Sequence, residues 1–186
     1  RTENLLACVE AHGADHVVRV QLERIATPPG VHVSISPPGQ PLDLLLRYHL
    51  HGTGYAAETA GAAAGAGLDA QLDFAATHTF GLSAADSLHA LFQGQEAALT
   101  VQVCAGAPGE ARRLLACASL PAAEFCGFLA GAPGGAAGPG APLGLRRTWT
   151  LPLRRPAVPH YPCRLEGATL ALTVSCSQRA RSASAR

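Results

Sequence analysis

Few residues in this chain have the types and spacing that chemistry needs. His49 and His51 stand two apart in an alternating run, so both project from one side of a strand, as two nitrogens of a metal chelate would. Zinc requires a third and usually a fourth ligand, and none stands at a matching spacing, so no metal is expected. Ser83, Asp86, Ser87 and His89 include the residue types of a catalytic triad, but they crowd into one turn. No Gly-x-Ser-x-Gly elbow occurs either, so neither an enzyme nor a cofactor is expected. The six cysteines contain no C-x-x-C pair, which argues against a zinc ribbon or a thioredoxin-like site. What remains is charge: the pairs Arg112-Arg113, Arg146-Arg147 and Arg154-Arg155. Arg47, Arg147, Arg154 and Arg155 form the candidate basic interaction patch, because guanidinium groups gathered on one sheet face hold phosphoinositide headgroups or an acidic protein tail. Arginines flanking strands also serve a second purpose, deterring edge-to-edge pairing of sheets.

These side chains need a scaffold, and the totals allow one. With 186 residues, 48% of them apolar and 15% charged, the chain suits one folded domain with loops and tails to spare. All fourteen basic residues are arginine, which together with abundant Ala, Gly and Pro reads as the composition of a GC-rich genome. The net charge of +1 supplies no field to draw the molecule onto nucleic acid, and interleaved aromatics for base stacking are scarce. Three cysteines lie in apolar strand patterns as small hydrophobes, so a reduced, intracellular protein is expected. No signal-peptide pattern occurs, and no apolar run approaches the roughly 20 residues that span a bilayer. The chain reads as a segment of a larger protein.

Period-two alternation supplies the elements. It predicts strands from His16 to Ile25, over Val31 to Ile35, from Leu42 to Leu50, from Leu72 to Phe80, over Ala97 to Cys104, from Leu114 to Leu120, from Arg146 to Leu153 and from Ala168 to Cys176. A helical turn is expected near Leu88 to Phe92 and a short helix from Pro121 through Phe128, with Phe74, Phe125, Phe128 and Trp149 in the core. Gly/Ala-rich stretches near 60–67 and 130–144 read as inserts, the first of them flexible; 1–15 reads as an N-terminal extension and 177–186 as a disordered tail. The fold class expected is all-β: an antiparallel eight-stranded β-sandwich over 16–176, with short helical turns in the connections.

The order of these strands is similar to that of C2 domains. The resemblance rests on Val17 to Ile25, Leu44 to Tyr48, Leu72-Asp73-Phe74, the L-x-V-x-V run Leu99 to Val103, Leu114 to Leu120, Thr148-Trp149-Thr150-Leu151 and the closing Gly167 to Val174. Calcium-binding C2 domains carry aspartates in two loops at one end, since calcium needs several oxygen ligands. Here Ala26 to Pro41 contains no Asp or Glu, and Ala105 to Arg113 contains only Glu110, so calcium is not expected to bind. The run Leu44 to Gly52 resembles a strand of degenerate C2 domains in centriolar and ciliary scaffold proteins such as centrosomal protein 120. That resemblance implies a calcium-independent, non-enzymatic protein-interaction module of a larger scaffold. It further implies a cytoplasmic, cytoskeletal location at the centriole or basal body, with centriolar or ciliary proteins, tubulin among them, as partners. The alternative is a peripheral membrane module that binds anionic phospholipids through arginines.

Overall fold

The computed structural model describes residues 16–31, 33–34, 42–52, 55–59, 62–65, 67–68, 71–82, 92, 94–106, 111–130, 144–156, 165 and 167–178. Eleven strands and one helix lie among them. They are β1 (His16–Ala26), β2 (Val33–Ser34), β3 (Leu42–Leu50), β4 (Tyr55–Glu58), β5 (Ala62–Gly65), β6 (Gly67–Leu68), β7 (Gln71–Leu82), β8 (Ala97–Gly106), β9 (Arg113–Pro121), α1 (Ala122–Ala130), β10 (Gly144–Pro152) and β11 (Thr169–Gln178). One sheet runs β10-β11-β1-β7; the other runs β4-β3-β8-β9, with β5 also paired to β3; β2 and β6 form a separate two-stranded ladder. The pairings are antiparallel throughout.

Alternation explains why the two sheets face each other. Val18, Val20 and Leu22 of β1 and Leu170, Leu172 and Val174 of β11 enter the same core as Leu44, Leu46, Tyr48 and Leu50 of β3 and Val101 and Val103 of β8. Each sheet is thus apolar on one side, and the other sheet covers it, as in a β-sandwich. At Leu22/Arg24 the register shifts against both neighbours: against β11 Glu23 is the extra residue of a bulge, whereas against β7 the extra residue lies on β7, between Asp73 and Ala76. The Glu23 carboxylate accepts a 2.6 Å bond from Thr173 Oγ1, which also meets Thr148 Oγ1 at 2.6 Å, so three strands are tied on the outer face.

Five expectations need correction. The strand count exceeds eight because β4, β5 and β6 are short strands in stretches without clear alternation. The alanine and glycine stretch expected to be flexible supplies β5, which pairs along β3 through backbone groups that need no large side chain. Strand β11 continues to Gln178, paired with His16, so the expected tail begins two residues too early. The helix after β9 starts one residue beyond Pro121. Phe125, Phe128 and Trp149 are buried, whereas Phe74 packs only partly against the core. The extension 1–15, the expected helical turn apart from Phe92, most of the second insert and the last eight residues lie outside the described residues.

Gly167 has φ 82° just before β11, a left-handed conformation that an L side chain adopts only with strain. Its pro-Cβ direction meets Pro28 Cγ at an ordinary 3.7 Å, so backbone strain sets the cost of a substitution rather than crowding. Gly167→Ala is expected to lower stability by about 1 kcal/mol in urea unfolding.

Candidate interaction surface

The outer face of the β4-β3-β8-β9 sheet carries Arg47 of the candidate patch and the pair His49 and His51. Because Leu44, Leu46, Tyr48 and Leu50 turn inward, Arg47 and His49 turn outward. Cross-strand register then sets a row: Glu58 opposite Arg47, Arg47 opposite Gln102, Gln102 opposite Cys117, and Cys117 opposite Arg154 through an isolated bridge. Strands lie about 4.8 Å apart, so Arg47 and Arg154 sit about 14 Å apart along this row.

Glu58 is the hub at one end. Its Oε2 accepts from Arg47 Nε at 3.1 Å and from Nη2 at 2.9 Å, and its Oε1 accepts from Arg112 Nη1. Two guanidiniums on one carboxylate leave a net positive charge, and all three side chains are partly solvent-exposed. The bonds from Arg47, with the nearby charges of both arginines, hold the Glu58 carboxyl below its ordinary range against a smaller opposing effect of burial. The pairing stabilises the fold above the unfolded-state pKa of Glu58 and is lost as pH falls through its lower folded-state value. Solvent screening keeps its worth within about 1 kcal/mol. Beside this group Cys104 is buried, and desolvation pushes its thiol up. Gly106 leaves room for the Arg112 backbone: a Cβ there would meet Arg112 Cγ at 3.2 Å and Cα at 3.3 Å.

His49 and His51 do share one side, with rings edge to face at 4.7 Å. His51 Nε2 lies 2.8 Å from Thr100 Oγ1. Among the described residues no third histidine, cysteine or carboxylate joins them. Burial, and secondarily His49, lowers the pKa of His51. A folded-state value below the unfolded one adds stability that is complete above about pH 6.5 and lost as pH falls through the folded value. Stability is therefore expected to decline from pH 7 toward pH 5, and His51→Gln is expected to flatten that slope in unfolding curves taken across the range.

The arginines of the candidate patch do not all meet. Arg47 and Arg154 share the row just described. Arg147 belongs to the other sheet, on the same side of β10 as Trp149, with its guanidinium carbon 4.9 Å from the Trp149 ring centroid. Trp149 in turn donates from Nε1 to Glu124 Oε2 of α1 at 3.2 Å. Arg155 follows Arg154, and its carbonyl lies 3.7 Å from Cys117 Sγ. Ser83, Asp86, Ser87 and His89 lie outside the described residues. The sequence singles out Arg112 within the pair Arg112-Arg113 but gives no sign of Glu58, which stands 54 residues away and meets it only through sheet pairing.

No family model matches the sequence, and no curated protein matches it. Among solved structures, the chain is similar to one described as "CC2D1B coordinates ESRCT-III activity during the mitotic reformation of the nuclear envelope", with TM-score 0.53 and 7% identity over 86% of this chain and 54% of that one. The chain thus spans about half the length of that neighbour. A C2 domain of plant extended synaptotagmin 1 aligns with TM-score 0.49 and 9% identity, over 90% of this chain and 98% of that one. A structure of extended synaptotagmin 2 holding its SMP domain and two C2 domains aligns with TM-score 0.46 and 9% identity, over 95% of this chain and 31% of that one. At such identity the likeness speaks to architecture alone, and with the topology above it gives this chain a C2-like fold.

Proposed function

We propose that this chain is a non-enzymatic protein-interaction module of a larger centriolar or ciliary scaffold protein, and that it works without calcium. The observation that carries the reading is the set of solvent-exposed arginines, Arg47, Arg112, Arg147 and Arg154, fixed on strands or at strand ends. Rigid strands present such groups at fixed spacings, which suits recognition of an acidic protein surface. The centriolar or basal-body setting, with tubulin among the partners, rests on the resemblance of Leu44 to Gly52 to the scaffold-type strand. Calcium independence rests on the lack of acidic residues in Ala26 to Pro41 and the single Glu110 in Ala105 to Arg113.

The row joining Arg47 to Arg154 favours a second reading, in which the same face docks on anionic phospholipid. Co-sedimentation with vesicles containing or lacking phosphoinositides separates the two. Weak vesicle binding, together with basal-body localisation of a fluorescent fusion, supports the protein-binding module. Strong calcium-free vesicle binding that disappears in Arg154→Glu/Arg155→Glu overturns it in favour of the membrane. Calorimetric titration with calcium is expected to give no binding heat.

A further inference from the structure

The register of β10 reveals which of its backbone groups point away from β11. The Leu153 amide donates to the Ala168 carbonyl at 2.9 Å, and this pair continues the ladder in which Pro152 faces Thr169. In an antiparallel ladder, bonded pairs alternate with pairs whose N–H and C=O point away. Leu145, Arg147, Trp149 and Leu151 therefore bond to β11, while Arg146, Thr148 and Thr150 direct their backbone groups away from it. Two observations support this parity independently. Pro152 falls in the outward set, where a missing N–H removes nothing from the ladder. Arg154, next in that set, exchanges backbone bonds with Cys117 of β9 at 2.8 and 3.0 Å. The edge thus already accepts an antiparallel segment at Arg154, but the chain turns into α1 after Pro121. Among the described residues β10 pairs with β11 alone, so the outward groups of Arg146, Thr148 and Thr150 meet no second strand.

The charge that this segment itself carries is of one sign, although Glu124 of α1 accepts a bond from Trp149 nearby. Gly144 to Pro156 contains Arg146, Arg147, Arg154 and Arg155 and no acidic residue. Arg146, Arg147, Thr148 and Thr150 are exposed. Pairing with a second copy would bring the arginines of both copies together, whereas an acidic strand would complement them. We propose that the open edge of β10 takes an extended acidic segment of a partner protein as an added strand. Main-chain bonds form at Arg146, Thr148 and Thr150, and carboxylates pair with Arg146 and Arg147. This rests on the reading of the chain as a protein-interaction module and gives that module its mode of recognition.

Trp149, the sole tryptophan, lies on this strand beneath Arg147 and reports on occupancy. The 186-residue chain is titrated with the octapeptide Glu-Glu-Thr-Thr-Glu-Glu-Thr-Thr, which as a strand carries carboxylates on both faces, followed by Trp149 emission, with the octapeptide in which arginine replaces glutamate as control. Saturable binding of the acidic peptide alone is expected. The affinity should fall at least tenfold in Thr150→Pro, which deletes an outward amide and no β11 bond, and similarly in Arg146→Glu/Arg147→Glu. Amide exchange of the unsubstituted protein provides a test that needs no variant: the peptide should slow exchange at Arg146, Thr148 and Thr150. Absence of binding, unchanged affinity in a Thr150→Pro protein of normal circular dichroism, or binding without that protection overturns the proposal. So does protection at these amides that grows with protein concentration alone, which assigns the edge to a second copy. If Thr150→Pro still captures centriolar or ciliary proteins, strand addition fails while the protein-binding reading stands. Vesicle binding without peptide binding removes both.

Discussion

Phe125→Ala is expected to lower the unfolding free energy by about 3 to 5 kcal/mol, a large share of the roughly 5 to 15 kcal/mol typical of a domain. Phe125 is 1% exposed and sits in a run of four aromatic rings. Phe92 meets it edge to face at 5.3 Å, Phe128 lies tilted at 6.3 Å, and Phe128 meets Trp149 edge to face at 5.3 Å. The run lies where α1 packs against strands of both sheets, β8 and β9 on one side and β10 on the other. Truncation loses the transfer free energy of a phenyl ring, leaves a cavity and loosens two aromatic contacts. Urea unfolding followed by far-UV circular dichroism measures the loss, and Trp149 emission tests whether the disturbance reaches β10. Phe125→Leu should recover most of the stability, because the cost lies chiefly in lost volume. A loss below about 1 kcal/mol for Phe125→Ala would mean that the helix is dispensable to the sandwich.

The burial of these rings was legible in the sequence because each obeys the period of its own element. Trp149 alternates with Thr148 and Thr150, and Phe125 and Phe128 are three apart, on one side of a helix. The same logic predicted the span of β3 to the residue. The charge network was not legible. Glu58 lies 11 residues from Arg47 in a stretch with no clear alternation, and Arg112 approaches Glu58 only because β8 and β9 fold back beside β3. Nothing local in the sequence encodes such a meeting; it follows from register. Grouping Arg147 with Arg47 reached past the same limit, because assigning a residue to a strand face does not say which sheet that strand joins. The parity of β10 was half visible, since Pro152 shares its alternation with Thr148 and Thr150, and only the Leu153–Ala168 bond fixes which set points outward.

Replacing Thr59 by valine is expected to cost about 1 to 3 kcal/mol although the two side chains have nearly the same shape. Arg47 faces Glu58 in the β3–β4 ladder, whereas Leu44 faces Ala62 and Asp43 faces Ala63 in the β3–β5 ladder, one residue out of step. Thr59 is the last residue of the β4 register before that slip. Its amide donates to the Leu46 carbonyl at 2.8 Å, continuing the β4 ladder, but the Leu46 amide donates to the Thr59 hydroxyl at 3.0 Å in place of a backbone carbonyl. Leu46 is fully buried and Thr59 is 7% exposed, so water has little access to replace the bond. Valine leaves the Leu46 amide unsatisfied, while serine keeps the oxygen and removes only a methyl. Thr59→Ser should therefore stay within about 1.5 kcal/mol of the parent, near the cost of one buried methyl group. Chemical denaturation ranks the three proteins, and amide exchange at Leu46 should quicken in Thr59→Val alone. The consequence extends to the surface, because Glu58 is the next residue along the same edge. Once the hydroxyl no longer holds the slip, Glu58 is freer to leave Arg47 and Arg112, and both guanidiniums turn to solvent. A Thr59→Val protein that loses stability yet keeps the low pKa of Glu58 would show that the β4 ladder alone holds that carboxylate in place.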